Sequence, residues 1–156
     1  MWINDIAGPP CPVDVVFVVD ESSSIGPSNF QLKKDFLSAL VGRLDIDSGN
    51  TRVGLVKFSS YVNTREAFNL NEYSSVVSVQ SAIASLNYSY GQTNTAAVLA
   101  YVRTTMLTSE TGDRPDVANV VVVMTDGRSN VNMSKTPVST VCTVVDDKTF
   151  LFQKLS

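Results

Sequence analysis

An open, mostly parallel α/β sheet, doubly wound with helices on both faces and carrying one antiparallel edge hairpin, is the fold this sequence predicts. Three observations predict it. Val13-Asp14-Val15-Val16-Phe17-Val18-Val19-Asp20 and residues 117–125 (VANVVVVMT) are nearly unbroken β-branched runs, the composition of strands buried on both faces. Stretches with apolar residues at helical spacing alternate with the strands, as in sheets whose crossovers are helices. Residues 51–59 and 61–68 read as two more strands, joined by so short a link that they must pair antiparallel.

The elements follow in order. Residues 1–12, with Gly8-Pro9-Pro10, read as a leader or linker, residues 13–135 as the domain core, and 136–156 as a divergent or truncated tail. After the first strand Gly26-Pro27-Ser28 punctuates, and 30–44 is expected to be helical. Phe30, Phe36, Leu37, Leu40, Val41 and Leu44 would form its apolar face, Ser28 its N-cap, and Lys33-Lys34 a solvated face. Helices are expected over 74–86 and 95–107, before the strand that ends at Asp126-Gly127. Beyond Asn132 the pattern weakens, and 136–145 reads as either helix or strand.

Bulk properties exclude several functions. At 156 residues there is room for one ordinary domain, and a hydrophobic fraction of 44% is enough for a sizeable core. A net charge of −3, with scattered basic residues, argues against nucleic acid or an anionic membrane surface as the main partner. No apolar run approaches the roughly 20 residues of a membrane span. The first residues lack the plan of a signal peptide, so the chain is either cytosolic or a mature or partial form. Histidine is absent, which removes Ser-His-Asp catalysis, the Cys-His pair and imidazole ligands for zinc. Cys11 and Cys142 permit one disulfide without requiring it, and Asn87-Tyr88-Ser89 and Asn132-Met133-Ser134 match the N-glycosylation sequon.

Ligands of open α/β sheets bind beyond the carboxyl ends of the strands. Two central strands here end in aspartate, Asp20 and Asp126, and two carboxylates brought together there repel unless a cation lies between them. Ser22 and Ser24 follow Asp20 at alternate positions, so all three point the same way, and Thr93 precedes a helix in a third loop. Two carboxylates and three hydroxyls are a hard oxygen set, suited to Mg²⁺ or Mn²⁺ that keeps several waters and an open position. Glu21 and Ser23, between the donors, are expected to face solvent.

These residues carry a family resemblance. Asp20-Glu21-Ser22-Ser23-Ser24 resembles the D-x-S-x-S motif of von Willebrand factor type A domains. Thr93 and the Asp126 of Thr125-Asp126-Gly127 stand where that family places its lone threonine and closing aspartate. The likeness runs from about residue 11 to 133 and is nearest to extracellular matrix members of the collagen VI and matrilin type. It implies a metal-ion-dependent adhesion site of Asp20, Ser22, Ser24, Thr93 and Asp126 in a secreted, non-enzymatic binding module of the matrix. Cell adhesion would proceed by binding a Glu or Asp carboxylate of collagen or another matrix protein through Mg²⁺. It also implies a bridge between Cys11 and Cys142, which would contribute about 4–5 kcal/mol in the chain-entropy model.

The likeness fails in the tail. Relatives continue through further strands and a final helix, and none of these is legible in 136–156. The last strands and final helix are therefore expected to be missing, leaving an open edge on the fourth strand. Two other functions compete: a matrix scaffold that makes no use of metal, and a Mg²⁺-dependent phosphohydrolase, for which Asp20-x-Ser22 lacks the second carboxylate of a D-x-D motif.

Overall fold

The computed structural model describes residues 11–126, 143–145 and 148–154. Its elements are β1 (Val13–Asp20), α1 (Gly26–Val41), β2 (Thr51–Phe58), β3 (Val62–Phe68), α2 (Val76–Ala84), α3 (Thr95–Tyr101), β4 (Ala118–Thr125), β5 (Thr143–Val145) and β6 (Lys148–Lys154). One sheet runs in the order β3-β2-β1-β4-β6-β5. β1 is central and pairs in parallel with β2 and β4, while β2 and β3 form the expected antiparallel hairpin.

Strand periodicity divides the core into two layers. Val15, Phe17 and Val19 of β1 pack on one face with Phe30, Leu37 and Val41 of α1 and Val79 and Ile83 of α2. Val16 and Val18 pack on the other with Val98 of α3 and with Val102 and Met106, which follow in a single π-helical turn, Val102–Met106. Both faces of β1 are thus buried, which is why its sequence reads as a continuous apolar run.

The tail departs from expectation. In place of an open edge on β4, β6 pairs with it in parallel from Val120↔Thr149 to Thr125↔Lys154, and β5 turns back antiparallel on β6. Lys148–Lys154 (KTFLFQK) carries a weak sequence signal because it is bounded by charge and has no valine run, yet its β-forming residues are enough for a short strand between β4 and β5. The final helix implied by the family resemblance has no counterpart among the described residues.

α1 starts earlier than predicted. Pro27 lies in its first turn, where a fixed φ and a missing N–H cost nothing, and Ile25 rather than Ser28 is the N-cap residue. Its inward stripe is Phe30, Lys33, Leu37 and Val41, so Lys33 is not on a solvated face but only 2% exposed. α2 opens on a capping box, with Ser75 Oγ accepting from Ser78 N at 3.2 Å. In α3, Asn94 Oδ1 accepts from Ala97 N.

The amino end of the sheet is clamped by charge. Buried Asp14 forms a 2.6 Å ion pair with Arg114, which also donates to Asp14 through its Nε and its backbone N–H. The same guanidinium donates to the carbonyls of Val13, Gly49 and Asn50, tying the start of β1 and the turn before β2 to one side chain.

Candidate metal centre

The carboxyl ends of β1 and β4 lie side by side, which brings together four of the five predicted donors. Asp20 is buried, accepting from Ser22 N at 2.8 Å through Oδ1 and from Thr125 Oγ1 at 2.7 Å through Oδ2. Ser22 Oγ lies 3.2 Å from Ser24 Oγ, and Ser24 Oγ donates to Asp126 Oδ1 at 3.1 Å. A continuous line of oxygens therefore runs from the first loop to the last. Thr93, the fifth, is buried at the mouth of α3 in a loop bonded to the first: Ser23 N donates to Gly91 O at 2.9 Å, and Gly91 N donates to Ser23 Oγ.

Gly91 is required for this approach. Its φ is +153°, and a Cβ there would lie 2.8 Å from Ser60 Oγ. Ser60 Oγ also accepts from Gln92 N, so the turn after β2 joins the same loop cluster. Tyr61 and Tyr90, next to these contacts, are 83% and 80% exposed and stand at the rim.

Three positions differ from the sequence reading or were absent from it. Glu21 does not face solvent: it is fully buried and ion-paired to Lys57 Nζ at 2.7 Å, and it accepts from Asn63 Nδ2 and Ser89 N. Ser23 is exposed, as expected. Thr125 orients Asp20, for which its place beside Asp126 was the available signal. Lys33 lies beneath the site, donating to the carbonyls of Asp20 at 2.9 Å and Met124 at 3.2 Å. Burial pushes its pKa below the usual 10.5, while Asp20 and Asp126 pull it up.

Lys57 extends this network outward. It pairs with Glu66 at 2.7 Å and donates to the Asn87 carbonyl, and Asn87 in turn donates to both Glu66 oxygens from its backbone and its amide. Asn87 is exposed, whereas Asn132 and Cys142 lie outside the described residues; Cys11 is exposed. Partial burial raises the Glu66 pKa, but the bonds from Lys57 and Asn87 outweigh it and leave the carboxyl below its ordinary 4.5. A depressed carboxyl contributes stability that is present above the unfolded value and lost as pH falls through the folded one. Thermal melts should accordingly show wild type exceeding Glu66→Gln at pH 7, with the gap closing near pH 3; an unchanged gap would contradict this linkage.

The arrangement defines a class first: a doubly wound α/β domain whose crevice at the strand ends is lined with hard oxygen donors. The chain belongs to the von Willebrand factor type A domain family, whose model matches residues 14–149. It is 42% identical over 121 residues to the collagen alpha-4(VI) chain of Mus musculus and 38% identical over 116 residues to matrilin-1 of Homo sapiens. These matches cover 76% and 74% of this chain but only 5% and 23% of the relatives' own lengths. Proximal thread matrix protein 1 from the mussel byssus superposes with a TM-score of 0.70 at 30% identity, covering 77% of this chain and 32% of that one. Another structure of that protein, with a zinc-occupied MIDAS motif, superposes with a TM-score of 0.68 at 31% identity, covering 80% and 31%.

The donors fit a hard divalent cation. Each aspartate is already oriented by a hydroxyl from a neighbouring segment, Asp20 by Thr125 and Asp126 by Ser24, and the Ser22 hydroxyl adjoins that of Ser24. Among the described residues no group of three or more His, Cys, Asp or Glu could hold a metal, so this oxygen set is charged only through its two carboxylates. No helix of the described residues is long and apolar enough to cross a membrane.

Proposed function

We propose that this domain is a non-enzymatic protein-binding module of the extracellular matrix, recognising an acidic side chain of its partner through Mg²⁺ or Mn²⁺ at the crevice. The observation that carries the reading is the hydrogen-bonded run from Asp20, through the Ser22 backbone N–H and the Ser22 and Ser24 hydroxyls, to Asp126. Asp20 and Asp126 hold the cation directly or through water, Ser22, Ser24 and Thr93 supply neutral oxygens, and the bound ion offers an open position to an outside anion. The exposed rim of Tyr61 and Tyr90 gives a partner aromatic surface beside that position. Collagen or another matrix protein, supplying Glu or Asp, is the proposed partner. The collagen and matrilin relatives support placement in the extracellular matrix; secretion, a Cys11–Cys142 bridge and glycosylation at Asn87 or Asn132 are part of the same proposal. The zinc-occupied motif of the byssus protein supports use of a divalent cation.

The test is surface binding of the purified chain to a collagen or matrix extract, with Mg²⁺ and with chelator. Chelator-sensitive binding is expected. Binding unaffected by chelator would favour a scaffold that uses another face, and turnover of a generic phosphate ester with Mg²⁺ would favour a phosphohydrolase.

A further inference from the structure

Lys33 sits where its position on the apolar stripe of α1 gives no other explanation for a charge. Phe30, Leu37 and Val41 bury the same face, and an ammonium is costly to bury without compensation. Its Nζ reaches past the helix to the carbonyls of Asp20 and Met124, at the ends of the two strands that present the site aspartates. The other buried cation nearby, Lys57, is already committed to Glu21 and Glu66. Among the described residues Lys33 forms no direct salt bridge, and the two carboxylates whose charge it feels are Asp20 and Asp126.

We infer that Lys33 is a built-in counter-charge of the crevice, which weakens its hold on a bare cation and makes the loaded site demand one monoanionic ligand. The inference rests on the metal-dependent reading above and deepens it. Two aspartates and one ammonium leave the metal-free crevice with a net charge of −1, so the carboxylates tolerate one another without an ion. A divalent cation brings the balance to +1, which one carboxylate of a partner neutralises. Without Lys33 the loaded site would already be neutral and would have little attraction for an anion.

The two halves of this inference shift in opposite directions when the charge is removed, which makes it testable without a known partner. Lys33→Gln retains an N–H for the carbonyls, Lys33→Met retains length in the apolar stripe, and Lys33→Arg retains the charge. Circular dichroism checks that each is folded, and either neutral variant suffices. Calorimetry at constant pH 7 would titrate MnCl₂ alone, then sodium acetate into the Mn²⁺-loaded protein. The neutral variants should bind Mn²⁺ about tenfold more tightly than wild type and acetate more weakly. They should gain more in melting temperature from Mn²⁺ than wild type does, and Lys33→Arg should resemble wild type. Equal Mn²⁺ and acetate affinities in wild type and the neutral variants, with Mn²⁺ binding lost in Asp126→Asn, would overturn the role of Lys33 and leave the metal site standing. No Mn²⁺ binding by wild type would overturn the metal reading itself.

Discussion

Asp126→Ala is expected to abolish divalent-cation binding and, with it, chelator-sensitive binding to matrix. Asp126 and Asp20 are the only charged donors in the line of oxygens, and they come from different strands. Removing one halves the negative charge facing the ion and leaves Ser24 without its acceptor. A hard cation held in an incomplete shell cannot spare a carboxylate, so a loss of affinity of 100-fold or more, on the order of 3 kcal/mol, is expected. Asp20→Ala should do the same. Thr93→Ala should do less, since a hydroxyl contributes coordination without charge. Calorimetry with Mg²⁺ on the three variants reads the order directly, and an Asp126→Ala protein that titrates like wild type would remove the crevice from consideration.

Lys57→Met should destabilise the fold by about 3 kcal/mol. The side chain is buried in β2, and its ammonium is the counter-ion of Glu21, whose carboxylate has no exposure to water. Deleting the cation leaves Glu21 with two neutral donors, Asn63 and Ser89, which is poor compensation for a buried charge. The same substitution releases Glu66 and the carbonyl of Asn87, a few residues ahead of the loop that carries Thr93. Urea denaturation would measure the loss, and Glu21→Gln combined with Lys57→Met should recover part of it because no unpaired ion then remains. A loss under about 1 kcal/mol in the single variant would mean that Glu21 finds water.

The sheet and its polarity were legible because β1 and β4 are buried on both faces, and valine runs of that length have few other interpretations. The aspartates were legible because strands of this kind deliver their last residues to the ligand-binding end. The buried charges were not legible. Glu21, Lys57 and Lys33 are interior only because each meets a partner distant in sequence, and no local pattern encodes such a pairing. For Lys33 a trace was present: it occupies the i+3 position between Phe30 and Leu37, so the helical stripe itself placed it inward. Lys148–Lys154 was missed for the converse reason, since its pairing with β4 is a non-local ladder that composition alone does not announce.

The clamp at Asp14 and Arg114 also bears on how the domain would answer a mechanical pull. β1 is held by eight paired residues on the β2 side and seven on the β4 side, all parallel to it. A pull applied at Val13 along the strand would load both ladders in shear, and their bonds would have to yield together. An antiparallel hairpin pulled apart from its open end would instead unzip one bond at a time. The guanidinium of Arg114 grips the Val13 carbonyl and the Asp14 carboxylate at the very end where such a pull enters, so the first slip of β1 would have to break an ion pair as well as the ladder. The opposite end of the same strand, where Asp20 sits, is separated from that point of entry by the full length of both ladders, so the crevice would keep its shape under a load that the ladders withstand.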